Sequence, residues 1–274
     1  MNYRPKMAAS NVPKGFQVDV QSGGYAVVTV RSEPVNTLSL DLWRGLTSIL
    51  DACEEDPAVR GIIFRSGLKK DIFSAGNDIR ELYAPLTSAQ RYREFWVTSN
   101  KFLARLYSTR LATVAAIRGA CPAGGCAISL ACDYRVMTEH GHIGLNEVAL
   151  GISVPKFWAG LMGRVIGART AERLCLNAEL PDPRRALSLG LVDEVVPTAQ
   201  LDAAAQKALA SMLSAPDVGR AATKRMLREE YSAQWSAYCQ TEWEYGWESL
   251  DSPAVTEALG KVMARLSSKK TSKL

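Results

Sequence analysis

The stretch RGACPAGGCAISLACDYRVMTEHGHIGLNEVALGIS, Arg118 to Ser153, decides how the rest of the chain is read. Pro122-Ala123-Gly124-Gly125 closes the apolar strand expected over Thr113–Ile117 and opens a run of small residues that starts a helix at about Cys126. Glycine there lets the backbone approach a ligand, and a helix start carries N–H groups with no partner inside the helix. A strand is expected over Tyr134–Met137. It is followed by Asn146-Glu147, an acid flanked by Leu145, Val148, Ala149 and Leu150. A carboxylate in apolar company can hold a raised pKa and work as a base near neutral pH, whereas the plainer reading is a surface acid at a helix start.

Working outward, FSAGNDIREL, Phe73 to Leu82, repeats the device of the Pro122–Gly125 turn after a short buried strand over Gly61–Phe64. A small-residue turn that runs into a helix start gathers partial positive charge, enough to hold an oxyanion. The alternative is an ordinary strand-to-helix connection capped by Asn77 or Asp78. Two such turns in one chain weigh more than either alone, because an oxyanion hole is built from convergent donors.

The flanking elements follow from local pattern. Phe16–Val20 and Tyr25–Val30 alternate around Gly23-Gly24, which predicts a hairpin. Ser39 is an N-cap for a helix whose Leu42, Leu46, Ile49, Leu50 and Cys53 recur at helical spacing, and Asp56-Pro57 ends it. A long helix over Ser88–Ser108 carries an aromatic stripe, Phe95, Trp96 and Phe102, of the kind that forms core or subunit contact. Phe157–Ile166, Thr170–Leu176 and Pro183–Leu189 are helical, Leu191–Val196 is a short extended segment, and helices divided at Pro216 and Pro253 follow from Leu201. These last helices are expected to form an appendage that covers the site or a neighbouring subunit.

Composition narrows the function classes. The net charge of +5 is accounted for by Lys261, Arg265, Lys269, Lys270 and Lys273, which lie in a stretch without acids, so the rest of the chain is balanced and no nucleic-acid partner is expected. No uncharged apolar run approaches the roughly 18 residues of a membrane span. The six cysteines form no CxxC pair and read as buried thiols. His140 and His142 read as exposed loop residues in a glycine turn, so no metal site is expected. Residues 1–15 read as a flexible arm, weakly like a transit peptide. Residues 267–274 form a basic tail ending Ser272-Lys273-Leu274, a signal read by the peroxisomal import receptor. A peroxisome is therefore the expected location, with the mitochondrial matrix as the alternative.

FSAGND (Phe73–Asp78), RGACPAGGC (Arg118–Cys126), GLNEVALGI (Gly144–Ile152) and GLVDEVVP (Gly190–Pro197) together resemble the crotonase, or enoyl-CoA hydratase/isomerase, superfamily, and within it the monofunctional Δ3,Δ2-enoyl-CoA isomerases of fatty-acid β-oxidation. The similarity runs from about residue 17 to about residue 200. It implies an α/β fold, a crotonase-like spiral of ββα units over residues 16–200, with a helical C-terminal part over 201–266. It also implies a homotrimer or a dimer of trimers, and an acyl-CoA substrate without a separate cofactor, coenzyme A being part of the substrate. By the same resemblance the backbone N–H groups of Asn77 and Gly124 polarise a thioester carbonyl. Ser74, Ala75, Gly76, Asn77 and Asp78 line the acyl-CoA site, Glu147 is the catalytic glutamate and Asn146 lies beside the substrate. Hydratases of the family carry a second glutamate directly after the GGC turn, where this chain has Ala127. Phe157 and Trp158 follow Pro155-Lys156 one residue later than the aromatic pair of isomerase relatives, and belong to the acyl pocket or to the core.

Overall fold

The computed structural model describes residues 12–271, with side chains described through Leu266. Most of the expected flexible arm, and the terminal Ser272–Leu274, lie outside the described residues. The elements are β1 (Phe16–Gln21), β2 (Tyr25–Val30), α1 (Leu40–Glu55), β3 (Gly61–Ser66), α2 (Ala89–Ser108), β4 (Ala112–Pro122), α3 (Gly124–Ala131), β5 (Tyr134–Gly144), α4 (Lys156–Ile166), α5 (Ala168–Leu176), α6 (Pro183–Ser188), β6 (Glu194–Val196), α7 (Leu201–Leu213), α8 (Asp217–Leu250) and α9 (Pro253–Thr271). The strands form one sheet in chain order; β1 and β2 are the antiparallel hairpin and every later pairing is parallel. Helix starts follow the sequence closely: Ser39 Oγ accepts from Leu42 N–H and Ser88 Oγ from Arg91 N–H.

Side-chain alternation divides the sheet between two cores, as a period of two requires. Ile63, Val114, Ala116 and Val136 face α7 with Ala205 and Leu209, whereas Ile62, Phe64, Ala115, Ile117 and Met137 face the main core with α1, α2 and α3. Of the expected C-terminal appendage, α7 is thus bound into the sheet itself. α8, 34 residues long, runs along α2 and is fixed at its N-terminal half by ion pairs. Lys224 Nζ meets Asp133 Oδ2 at 2.8 Å and Leu111 O at 2.9 Å, and Arg228 Nη1 meets Asp133 Oδ1 at 2.7 Å. Burial alone would raise the Asp133 carboxyl, but the two cations hold it below the usual carboxylate range.

β4 and β5 run well past the strands expected from the sequence. Both bend at a register shift between Ile117 and Gly119 and continue as a second, smaller layer in which Gly119–Pro122 pairs with Gly141–Gly144. Asp71–Phe73 joins that layer, since Ala120 N–H donates to Asp71 O at 3.0 Å and Phe73 N–H to Ala120 O at 2.9 Å. Each turn of the chain is therefore strand, glycine bend, second strand, then helix or turn, which is the expected spiral. His140 and His142 lie on this continuation of β5 and not in a loop; His140 is exposed and His142 half-buried. All six cysteines are buried and unpaired.

Removing the acid between Lys224 and Arg228 leaves the buried Lys224 and the partly buried Arg228 without compensation. Asp133→Ala is expected to cost about 3–5 kcal/mol in denaturant unfolding. Breaking the exposed Arg169–Glu172 pair by Glu172→Ala should cost under about 1 kcal/mol.

Candidate active site

The two glycine turns meet. A Cβ on Gly76 would lie 2.8 Å from Ala123 Cβ and 3.5 Å from Gly124 N, and Gly76 has φ +86°, so this position is closed to side chains on both counts. The Ser74–Asp78 segment is held by pairing with residues 35–38: Ala75 N–H donates to Val35 O, Leu38 N–H to Gly76 O and Asp78 N–H to Leu38 O, at 2.9, 2.9 and 3.1 Å. Gly76 O and Asp78 N–H face Leu38, so alternation along an extended chain turns the Asn77 N–H to the opposite edge. There it has no acceptor among the described residues. The Asn77 side chain is occupied elsewhere, its Oδ1 accepting from Trp43 Nε1 at 3.3 Å.

Gly124 is the first residue of α3, two positions before the start expected from sequence, and its N–H is one of the helix's orphan donors. Ala123 before it has φ +51°, uncommon for a residue with a Cβ, and is anchored by donating its N–H to Gly144 O at 2.8 Å. The first turn differs from the sequence reading. Asp78 opens a 3₁₀ turn of 3 residues, Ile79–Glu81, and not an α-helix. As the capping alternative supposed, its Oδ1 accepts from Arg80 N–H at 3.0 Å. Burial raises the Asp78 carboxyl, but the hydrogen bonds and charge of Arg80 outweigh it and leave its pKa lowered.

Glu147 begins a 3₁₀ turn, Glu147–Leu150, separated from β5 by Leu145 and Asn146. It is no surface acid: the residue is 5% exposed and neither carboxylate oxygen has a hydrogen-bond partner among the described residues. Burial pushes its pKa from the ordinary 4.5 up to about 7, against a smaller opposing pull from its own backbone N–H. The Oδ1 of neighbouring Asn146 is likewise buried and unpartnered.

A cavity of about 990 Å³ opens beside these groups. Ala75, Asn77, Asp78, Asn146 and Glu147 are on its wall; Ser74, Gly76 and Gly124 are not. Ser74 is turned inward, its Oγ donating to Asn36 O at 2.7 Å and accepting from Gly76 N–H at 3.0 Å, so it shapes the turn from behind. Ala127 is buried in α3, and Glu139, His140 and His142 lie outside the cavity wall.

Sequence reasoning placed Trp158 in the acyl pocket or the core and missed the other groups that complete the cavity wall. Tyr92 and Trp96 of α2, Trp158 of α4, and Tyr238, Glu242 and Tyr245 of α8 all line it, and Val262, Met263 and Leu266 of α9 close it over. The C-terminal helices thus cover the site of their own chain. Trp158 is both pocket wall and core: it is 1% exposed, its Nε1 donates to Asn100 Oδ1 at 3.0 Å and its ring stacks on Trp96. Phe157 is core, stacked on Trp235. The aromatic stripe of α2 gave no sign of which rings would reach a cavity, because that depends on α4 and α8.

Comparison with known proteins bears on this geometry. Residues 21–256 match the family model described as enoyl-CoA hydratase/isomerase. Over 208 residues the chain is 41% identical to enoyl-CoA delta isomerase 1, mitochondrial, of Mus musculus, covering 75% of this chain and 71% of the mouse protein. The protein of the same name from Homo sapiens is 39% identical, over 75% and 68% of the two chains. The crystal structure of human mitochondrial delta3-delta2-enoyl-CoA isomerase superposes with a TM-score of 0.90 at 33% identity, covering 94% of this chain and 100% of the other. An enoyl-CoA hydratase from Bacillus halodurans shares the fold, with a TM-score of 0.83 at 23% identity over 90% and 100% of the chains. With the family model spanning both glycine turns and Glu147, and relatives near 40% identity over most of its length, this chain belongs to the enoyl-CoA hydratase/isomerase, or crotonase, family of enzymes.

Proposed function

We propose that this enzyme moves the double bond of a 3-enoyl-CoA to the trans-2 position in fatty-acid β-oxidation, with Glu147 as its single acid–base group. The observation that carries the reading is the Glu147 carboxylate, unpartnered among the described residues and buried in the cavity that Asn77 also lines, beside the turn that ends in Gly124. The Asn77 and Gly124 N–H groups take the thioester oxygen. Glu147 removes a proton from C2, and the electron pair spreads into a dienolate whose negative charge rests on that oxygen. The same carboxyl then returns the proton at C4, which leaves the double bond between C2 and C3. No water enters or leaves. A general base of this kind contributes about 10²–10⁴ in rate, and each oxyanion donor about 2.7–4 kcal/mol. Lys70, Arg80 and Lys156, exposed at the cavity rim, supply positive charge for the phosphates of coenzyme A. The names of the mouse and human relatives support a mitochondrial location, whereas the peroxisomal reading rests on Ser272–Leu274. Family membership supports a homotrimer or dimer of trimers, which sedimentation would measure.

A hydratase would need a second group to handle water. Ala127 offers none, and the other carboxylates on the cavity wall are engaged: Asp78 is paired with Arg80, and Glu242 accepts from Trp96 Nε1 at 3.1 Å and from Lys156 N–H at 3.3 Å.

Given a 3-enoyl-CoA in heavy-oxygen water, the purified enzyme is expected to form the 2-enoyl ester without taking up oxygen. Oxygen in a 3-hydroxyacyl product would overturn the single-acid mechanism. Glu147→Gln should lower kcat by about 10²–10⁴ with acyl-CoA binding retained, and survival of more than about a tenth of the activity would remove Glu147 as the base.

The base must be ionised to work, so kcat/KM should rise with pH through about 7 and level off above it. Stability runs the other way. The folded state holds the Glu147 proton more tightly than the unfolded chain, so stability falls as pH rises from about 4.5 to about 7. Glu147→Gln should therefore gain about 3 kcal/mol over wild type at about pH 8, a difference that guanidinium unfolding would see vanish below about pH 4.5.

For location, imaging the tagged full chain with and without Ser272–Leu274 separates the two readings. A mitochondrial pattern unchanged by the deletion carries the matrix reading; import lost with the three residues carries the peroxisomal one.

A further inference from the structure

Glu242 is a buried carboxylate on the cavity wall that the proposed chemistry does not use. It sits on α8, on the face that also turns Tyr238, Tyr245 and Ser249 to the cavity, and is 9% exposed. Its two oxygens are divided between two elements: Oε2 takes the Trp96 indole N–H from α2 and Oε1 takes the Lys156 backbone N–H from α4. Lys156 is the first residue of α4, so its amide is an orphan donor at a helix N-terminus, where a carboxylate is favoured. One side chain thus ties together three helices around the cavity. Burial raises the Glu242 carboxyl above its ordinary range, opposed by these two hydrogen bonds and by Lys156.

We propose that Glu242 is a positioning residue that locks the aromatic wall of the acyl cavity and so sets the enzyme's discrimination between acyl-chain lengths. The wall is the Trp96–Trp158 stack, with ring centroids 6.4 Å apart and planes 13° from parallel. Trp158 is pinned from outside the cavity by Asn100, whose Oδ1 also takes the Trp235 N–H at 2.9 Å. For the Trp96 ring, Glu242 is the hydrogen-bond partner among the described residues. Apolar packing is non-directional and tolerates rotation of an indole; a buried hydrogen bond to the ring nitrogen does not. A pocket that recognises methylenes separates neighbouring substrates by about 10–200-fold, and only if its wall stays in place.

The inference rests on the enoyl-CoA reading. Its test is the kcat and KM of the purified full chain with short-, medium- and long-chain 3-enoyl-CoA esters, for wild type, Glu242→Ala and Trp96→Phe. Both variants are expected to flatten the chain-length profile, the ratio of best to worst kcat/KM falling by about tenfold or more, with the change carried by KM and the pH dependence of kcat still set by Glu147 near 7. A uniform loss at every length, or a profile that keeps its shape, overturns the proposal. Trp96→Phe keeps an aromatic ring and leaves the Glu242–Lys156 bond intact, so it decides alone should Glu242→Ala fail to fold. Wild type inert toward every ester would be a failure of the enoyl-CoA reading; an active wild type whose variants keep its profile would be a failure of the Glu242 proposal alone.

Discussion

Three stretches of backbone pass one another at Asp71, Gly119 and Gly141 at separations that no side chain tolerates. A Cβ on Gly119 would lie 1.8 Å from Asp71 O, and one on Gly141 would lie 2.2 Å from Gly119 O. The rest of the site depends on this crossing. It is where β4 and β5 leave the main sheet and turn into the second layer, so that their ends, Pro122 and Gly144, arrive beside the Ser74–Asn77 turn. A strand that continued straight would carry the Gly124 amide and Glu147 away from Asn77. A substituted Gly119 would have to move a neighbouring backbone, and with it the spacing of the Asn77 and Gly124 amides proposed as oxyanion donors.

The electrostatics of the cavity follow from which acids are left alone. Asp133 is held by Lys224 and Arg228, Glu81 by Arg91 and the Leu40 amide, Asp78 by Arg80 and Glu242 by two N–H donors. Glu147 is the buried acid whose oxygens both lack a partner among the described residues. A buried carboxylate without partners costs folding free energy, and globular proteins rarely keep one without a use for it. That cost raises its proton affinity, which suits a group that must hold a proton briefly and give it back. The Cys126 and Cys175 thiols, close enough to feel its charge, are themselves pushed up by burial and offer no competing nucleophile.

What could be read in the sequence was local. The hairpin, the Ser39 and Ser88 caps, the two glycine turns and Glu147 each announce themselves within a few residues, because caps, turns and periodicity are short-range physics. Fold and family were also legible, since the four motifs stand in order. The lengths of β4 and β5 were not: Gly119 and Gly141 look like strand ends in sequence and are bends in the structure, where the partner backbone decides. The 3₁₀ turns after Asp78 and Glu147 look like helix starts for the same reason, a good first turn whose continuation depends on packing. Glu242 was the least legible. It stands among other charged residues of α8, and its indole partner is 146 residues away.

The number of carboxylates in a cavity is a weaker guide to its chemistry than their freedom. Three acids line this cavity, Asp78, Glu147 and Glu242, and they are not equivalent: Asp78 is paired with Arg80. Glu242 spends its lone pairs on an indole and a helix amide, and a proton transfer at either oxygen would break the bond it makes there. Glu147 spends none. The closure of α8 and α9 over both deepens the difference. Excluding water strengthens the bonds that hold Glu242 in place, and raises the proton affinity of Glu147, whose oxygens lack partners among the described residues. One cover therefore produces a fixed wall and a free carboxylate, which is the division of labour that the proposed proton shuttle requires.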